Sequence, residues 1–172
     1  MLEKLKIQKK FSILETTGLP LIDLDHNRLI ILLKYIVESL KKGKRLSKIQ
    51  ELAKYLEDGL KMHFLHEEEV MKTIQYPNIR QHSIEHLEML DHYRNYTITI
   101  NSKSCRQNLL ENFINIYEKL KFHILNDDLK FKPFVTKNTI VERVSRNFYT
   151  KLQKRNEMKD LERICKAICK KK

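Results

Sequence analysis

The stretch MHFLHEEEVMKTIQYPNIRQHSIEH, residues 62–86, decides the fold of this chain. His63 and Glu67 stand four apart, as do His82 and His86. On an α-helix that spacing stacks two side chains on one face, one turn above the other. Tyr76-Pro77-Asn78 falls between the two pairs. Proline cannot continue a helix and biases the residue before it towards extended geometry, so the chain reverses here. Two antiparallel helices then each present two metal-type donors to a shared space, which is how a metal site is built inside a helical bundle.

Two more stretches extend the pattern outward. Upstream, Ile22-Asp23-Leu24-Asp25-His26 sets His26 at the head of an apolar stripe of Leu29, Ile30, Leu33, Val37 and Leu40. The stripe predicts a first helix from near Ile22, with Asp23 as its N-cap and Asp25 favoured by the helix dipole. It stops at Lys41-Lys42-Gly43, where cations and a glycine complete a helix end. Ser47 opens a second helix whose face carries Ile49, Leu52, Leu56, His63, Val70 and Ile74. A third runs from about Asn78 through His82, His86, Met89, Leu90 and Tyr93. The β-prone Tyr96-Thr97-Ile98-Thr99-Ile100 at its end is read as part of the bundle, because a lone strand has no partner. A fourth begins near Ser104, carries Leu109, Phe113, Ile116, Tyr117, Leu120 and His123, and ends near Lys132-Pro133. Five residues beyond His123 stands Asp128.

The bulk numbers agree with a helical reading. Of 172 residues only three are Gly and three Pro, too few breakers for a loop-rich or β fold. The chain is long enough for one domain with a sizeable core. No apolar run approaches the roughly eighteen residues of a membrane span. The basic start MLEKLKIQKK lacks the apolar core and small-residue site of a secretory signal. Three cysteines, Cys105, Cys165 and Cys169, are odd in number and form no disulfide framework, which fits a reducing cytoplasm.

Imidazole suits iron, zinc, copper and nickel, whereas carboxylate suits harder ions. Five histidines and two carboxylates are too many donors for one tetrahedral zinc, and two metals sharing the carboxylates account for all seven. The other candidates fall outside that pattern. His66 and His92 read as ordinary residues at the surface or beside the ligands. Glu68 and Glu69 read as solvated helix charges, and Cys165 and Cys169 lack further donors nearby.

The chain resembles a bacteriohemerythrin. The resemblance rests on IDLDH at 22–26, HFLHE at 63–67, HSIEH at 82–86 and HILNDD at 123–128, in the family's order, and covers roughly residues 15–134. It implies an all-α, up-down-up-down four-helix bundle carrying two iron ions per chain. Glu67 and Asp128 would bridge them together with an oxo or hydroxo group. His82, His86 and His123 would hold one iron, and His26 and His63 the other. The first iron then has six donors and the second five, so one position remains for end-on dioxygen, with Phe64 and Leu29 limiting water. The implied function is reversible dioxygen binding for storage, transport or sensing, rather than enzymatic turnover. The same centre acting on peroxide or nitric oxide is the alternative, against which stands the lack of the Glu-x-x-His pairs of ferritin-like oxidases. A monomer is expected.

Beyond the resemblance, residues 135–172 carry +8 of the net charge of +12. From Thr139 the segment has helical periodicity in Val144, Phe148, Leu152, Leu161, Ile164 and Ile168, with Lys and Arg on its other faces. It reads as a C-terminal helical extension separate from a metal domain of residues 1–134. Such a basic amphipathic tail either packs on its own bundle or contacts an acidic partner or an anionic membrane surface, without specific nucleic-acid recognition. An output module for a sensor would use it in the second way.

Overall fold

Pro20 opens helix α1 (Pro20–Lys41), where its fixed φ suits the first helical position and its missing N–H is no loss. In the computed structural model, which describes residues 16–97, 100, 103–135 and 139–169, Leu19 rather than Asp23 holds the N-cap position. Asp23 sits inside the first turn and accepts hydrogen bonds from the Thr17 N–H at 2.9 Å and the Thr17 hydroxyl at 3.0 Å. The far end of α1 closes as the sequence indicates. Gly43 adopts φ 67°, its N–H reaches the Leu40 carbonyl, and the Lys44 N–H reaches that of Ser39. These two bonds satisfy carbonyls that the helix end would otherwise leave open.

Helix α2 (Leu46–Thr73) ends in the same motif with a different residue at its centre. Gln75 takes φ 52°, and the Tyr76 N–H bonds to the Met71 carbonyl at 2.9 Å. Tyr76 and Met71 are both buried in one apolar cluster, the hydrophobic contact that accompanies such caps. Pro77 follows at once, and α3 (Ile79–Thr97) runs back along α2. Helix α4 (Arg106–Asn126) returns once more and stops well short of Lys132-Pro133. A 3₁₀ turn (Asp128–Phe131) and the single-turn α5 (Lys132–Val135) replace its expected last turns.

Neighbours close a ring: α1 on α2, α2 on α3, α3 on α4, and α4 on α1. With short connections this is the up-down-up-down four-helix bundle, and no strand occurs among the described residues. Two apolar clusters fill it. The larger contains Leu29, Leu33, Leu56, Phe64, Leu90, Phe113 and Leu120, and the smaller contains Ile22, Val70, Met71, Tyr76 and Phe131. His26, Glu67, His82, His86 and Asp128 fall between the two in chain register, and His63 and His123 sit at the edge of the larger. The expectations for residues 1–15 and for Ile98 and Thr99 lie outside the described residues.

The C-terminal extension is two helices, α6 (Thr139–Gln153) and α7 (Asn156–Cys169). Both pack across the face made by α1 and α2. Val141, Tyr149, Leu152, Leu161 and Cys165 are buried there, so the apolar row of the extension is spent on its own bundle. Gly59, in mid-α2, marks the closest approach: a Cβ at that position would meet Leu29 Cδ2 at 3.0 Å and Leu161 Cδ2 at 3.1 Å. A mid-helix glycine costs stability in isolation, and here it admits α1 and α7 together. No helix among the described residues is long and apolar enough to cross a membrane.

Candidate metal centre

Each helix of the bundle delivers its donors at the same end. His26 comes from the first turns of α1, His63 and Glu67 from the last third of α2, His82 and His86 from the start of α3, and His123 from the end of α4. Asp128 needs more than a helix. Residues five apart on an α-helix point about 140° away from each other. Because α4 gives way to a 3₁₀ turn at Asp128, its carboxylate swings inward, and Oδ1 comes within 3.0 Å of His123 Nε2. All seven predicted residues are buried and brought together.

The two carboxylates are the centre of the arrangement. Glu67 Oε1 lies 3.4 Å from His26 Nε2, while its Oε2 lies 3.5 Å from His63 Nε2 and 3.3 Å from His86 Nε2. Asp128 Oδ2 lies 3.2 Å from His26 Nε2, and its Oδ1 lies 3.3 Å from His82 Nε2. The donor atoms divide into two groups, each with all atoms within 4.8 Å of one another. One is Glu67, His82, His86, His123 and Asp128; the other is His26, His63, Glu67 and Asp128. Both groups use both carboxylates.

The chemistry of these atoms asks for cations. Both oxygens of Glu67, both of Asp128, both ring nitrogens of His63, and Nε2 of His26 and His82 are buried with no hydrogen-bond partner. Such orphaned atoms cost about 1–3 kcal/mol each, and charged ones more. Eight in one place are not tolerated as mere packing. Metal ions would satisfy seven of them at once, all but the His63 ring nitrogen that faces away from Glu67, so the residues present fit a metal centre.

The protonation pattern tells the same story. Burial disfavours charge on His26 and His82, yet the Asp128 and Glu67 carboxylates beside them outweigh it and raise both rings to about 10. Burial pushes His63 down to about 3, against the pull of Glu67 and with the help of the neighbouring His26. Burial would raise both carboxyls, and Glu67 would raise that of Asp128 further, but the surrounding histidines hold Glu67 and Asp128 well below the carboxylate range. Without metal, the two buried carboxylates draw protons onto the rings. A cation supplies the same positive charge and displaces those protons.

Neighbouring side chains aim the rings. His86 Nδ1–H donates to Glu68 Oε1 at 3.2 Å, which leaves its Nε2 lone pair facing the centre. Glu68, read from sequence as a solvated charge, therefore orients a donor. Phe64 stacks on the His86 ring at 4.0 Å and stands edge-on to His123. His92 is exposed, as expected, with the Lys119 ammonium 3.1 Å from its Nδ1.

His66 corrects the sequence reading most. It is fully buried, with Nδ1 2.9 Å from Asp25 Oδ2 and Nε2 2.9 Å from Ser145 Oγ. Helix α2 has two buried faces, one towards the bundle through His63 and Glu67, the other towards the extension through Met62 and His66. The alternation of Met62, His63, His66 and Glu67 carried that signal, but a single apolar stripe does not count it. Ser145, 79 residues away, had no local signal at all.

Comparison with protein-family models matches residues 17–135 to the hemerythrin HHE cation-binding domain. No curated protein and no solved structure matches the chain.

Proposed function

The chain belongs to the hemerythrin HHE cation-binding domain family, and from that premise we propose that it binds dioxygen reversibly at a pair of iron ions. The observation that carries the reading is the division of seven buried donors into two groups that share Glu67 and Asp128. A donor set of imidazoles with shared carboxylates suits two ions of intermediate hardness, and iron is one of them.

His82, His86 and His123 would hold one ion, and His26 and His63 the other. The second group has one imidazole fewer, so a small exogenous ligand would find its place beside His26 and His63. Two irons held in this way would supply reversible two-electron chemistry towards dioxygen. The chain's own part is to orient and to exclude. Glu68 fixes the His86 ring, and Phe64 and the larger apolar cluster close the centre from bulk water. Exclusion of water and protons favours return of the gas over its further reduction. Cys105, Cys165 and Cys169 are all free thiols, which agrees with a role in a reducing compartment such as the cytoplasm.

The test is spectroscopic. Protein loaded with ferrous iron under argon should gain near-ultraviolet and visible bands on exposure to air and lose them when the gas is purged, over several cycles. Bands that appear once and never reverse, or that decay with consumption of oxygen, would exclude reversible binding and favour turnover.

A further inference from the structure

The extension lies beyond the stretch that matches the family, yet it reaches to within one residue of two metal donors. The link is a chain of two hydrogen bonds. Asp25 is an acceptor, so His66 donates to it from Nδ1–H at 2.9 Å. The other ring nitrogen, Nε2, is hydrogen-bonded to the Ser145 hydroxyl at 2.9 Å. Asp25 precedes His26 on α1, and His66 precedes Glu67 on α2. Ser145 is on α6. All three are buried, and each finds its partner in the others.

A second contact repeats the pattern one turn along. Arg28 Nη1 lies 3.6 Å from Asp25 Oδ1, and its Nη2 is 3.0 Å from Glu162 Oε1 on α7. The same guanidinium donates to the Tyr149 hydroxyl on α6. Ser145 is thus tied to Asp25 through His66, and Tyr149 and Glu162 are tied to the arginine one turn along from Asp25. Buried polar groups with one good arrangement fix register far more sharply than apolar packing does.

We propose that the α6–α7 pair is a clamp on the metal centre, with His66 and Ser145 as positioning residues that hold His26 and Glu67 in register across the α1–α2 interface. The inference rests on the seven donors forming a metal site, and is independent of which small molecule that site takes. Docking of the extension and metal binding stabilise each other, and by thermodynamic linkage the coupling is reciprocal. Removing the metal loosens the clamp, and loosening the clamp weakens the metal.

Ser145→Ala tests this in the full chain. It deletes one oxygen, keeps a good helix former, and leaves Val141, Tyr149, Leu152 and Leu161 to hold the extension in place. Ser145→Thr restores the hydroxyl. The readouts are ferrous iron affinity by competition with a chelator, and amide hydrogen exchange over α6 and α7 with and without iron. In the wild type, iron should slow exchange in α6 and α7. Ser145→Ala should lower iron affinity severalfold, less than the tenfold or more that follows loss of a direct partner of a ligand, and should abolish the iron-dependent protection. Ser145→Thr should recover both. Iron binding by the wild type with no change of exchange in the extension, or equal affinity in wild type and Ser145→Ala, would overturn the clamp while leaving the metal centre intact. A wild type that binds no metal would overturn both.

Discussion

Glu67→Gln separates a shared pair of bridges from a simple collection of ligands. The amide has the shape of the carboxylate, so the fold loses no volume at a position with no solvent exposure. What it loses is charge and one acceptor oxygen. Glu67 approaches His26, His63 and His86 at 3.3–3.5 Å and belongs to both donor groups. Removing one partner of a buried charge pair costs about 3–5 kcal/mol. At about 1.4 kcal/mol per tenfold this corresponds to a roughly hundred- to several-thousand-fold loss of affinity, and it falls on both ions. His63 is in one group only, so His63→Ala should release one ion and keep the other. The assay is retained iron per chain after challenge with a graded series of chelators, with circular dichroism of the metal-free variants as the control for folding. Folded Glu67→Gln that keeps iron like the wild type, or that loses one ion as His63→Ala does, would refute the shared bridge.

Three further expectations come from the fold. Gly59→Leu places a side chain where Leu29 and Leu161 already stand at 3.0–3.1 Å from the Cβ position; it should undock α7, seen as raised hydrogen exchange there, and lower stability by about 1–3 kcal/mol in chemical denaturation. Gln75→Gly relieves a left-handed residue at the end of α2 and should raise stability by up to about 1 kcal/mol, whereas Gln75→Val should lower it. Burial pushes the Cys165 thiol up to about 11, so a thiol reagent at pH 8 should label the exposed Cys105 and Cys169 quickly and Cys165 only as pH rises towards that value or as the chain unfolds.

The helices of the bundle and two pairs of candidate donors were legible from local spacing, while His26, His123 and Asp128 entered with the family-like motifs at 22–26 and 123–128. Four-residue separations put His63 with Glu67 and His82 with His86, and the glycine at 43 and the proline at 77 marked the turns. Asp128 was legible as a candidate but not in its geometry, since nothing in HILNDD announces the switch from α to 3₁₀ that turns it inward. The start of α1 was misplaced because Asp23 is as good an N-cap as it is a first-turn acceptor, and Thr17 chose between the two. The apolar row from Val144 to Ile168 was read correctly as helical, but it spans two helices. Helix α6 buries Val141, Ser145 and Tyr149 more deeply than Val144 and Phe148, and a periodicity does not say what it packs against. Only the space at Gly59 and the bonds of Arg28, His66 and Ser145 answer that, and their partners lie 79 or more residues apart.

On the proposed function, one chain holds two ions between Glu67 and Asp128. Titrating ferrous iron under argon into the metal-free, full-length protein, and counting what remains bound after desalting, tests it most directly. The expected break is at two irons per chain, with both lost together on Glu67→Gln. A break at one iron, or a site that takes a single zinc and refuses iron, would contradict it.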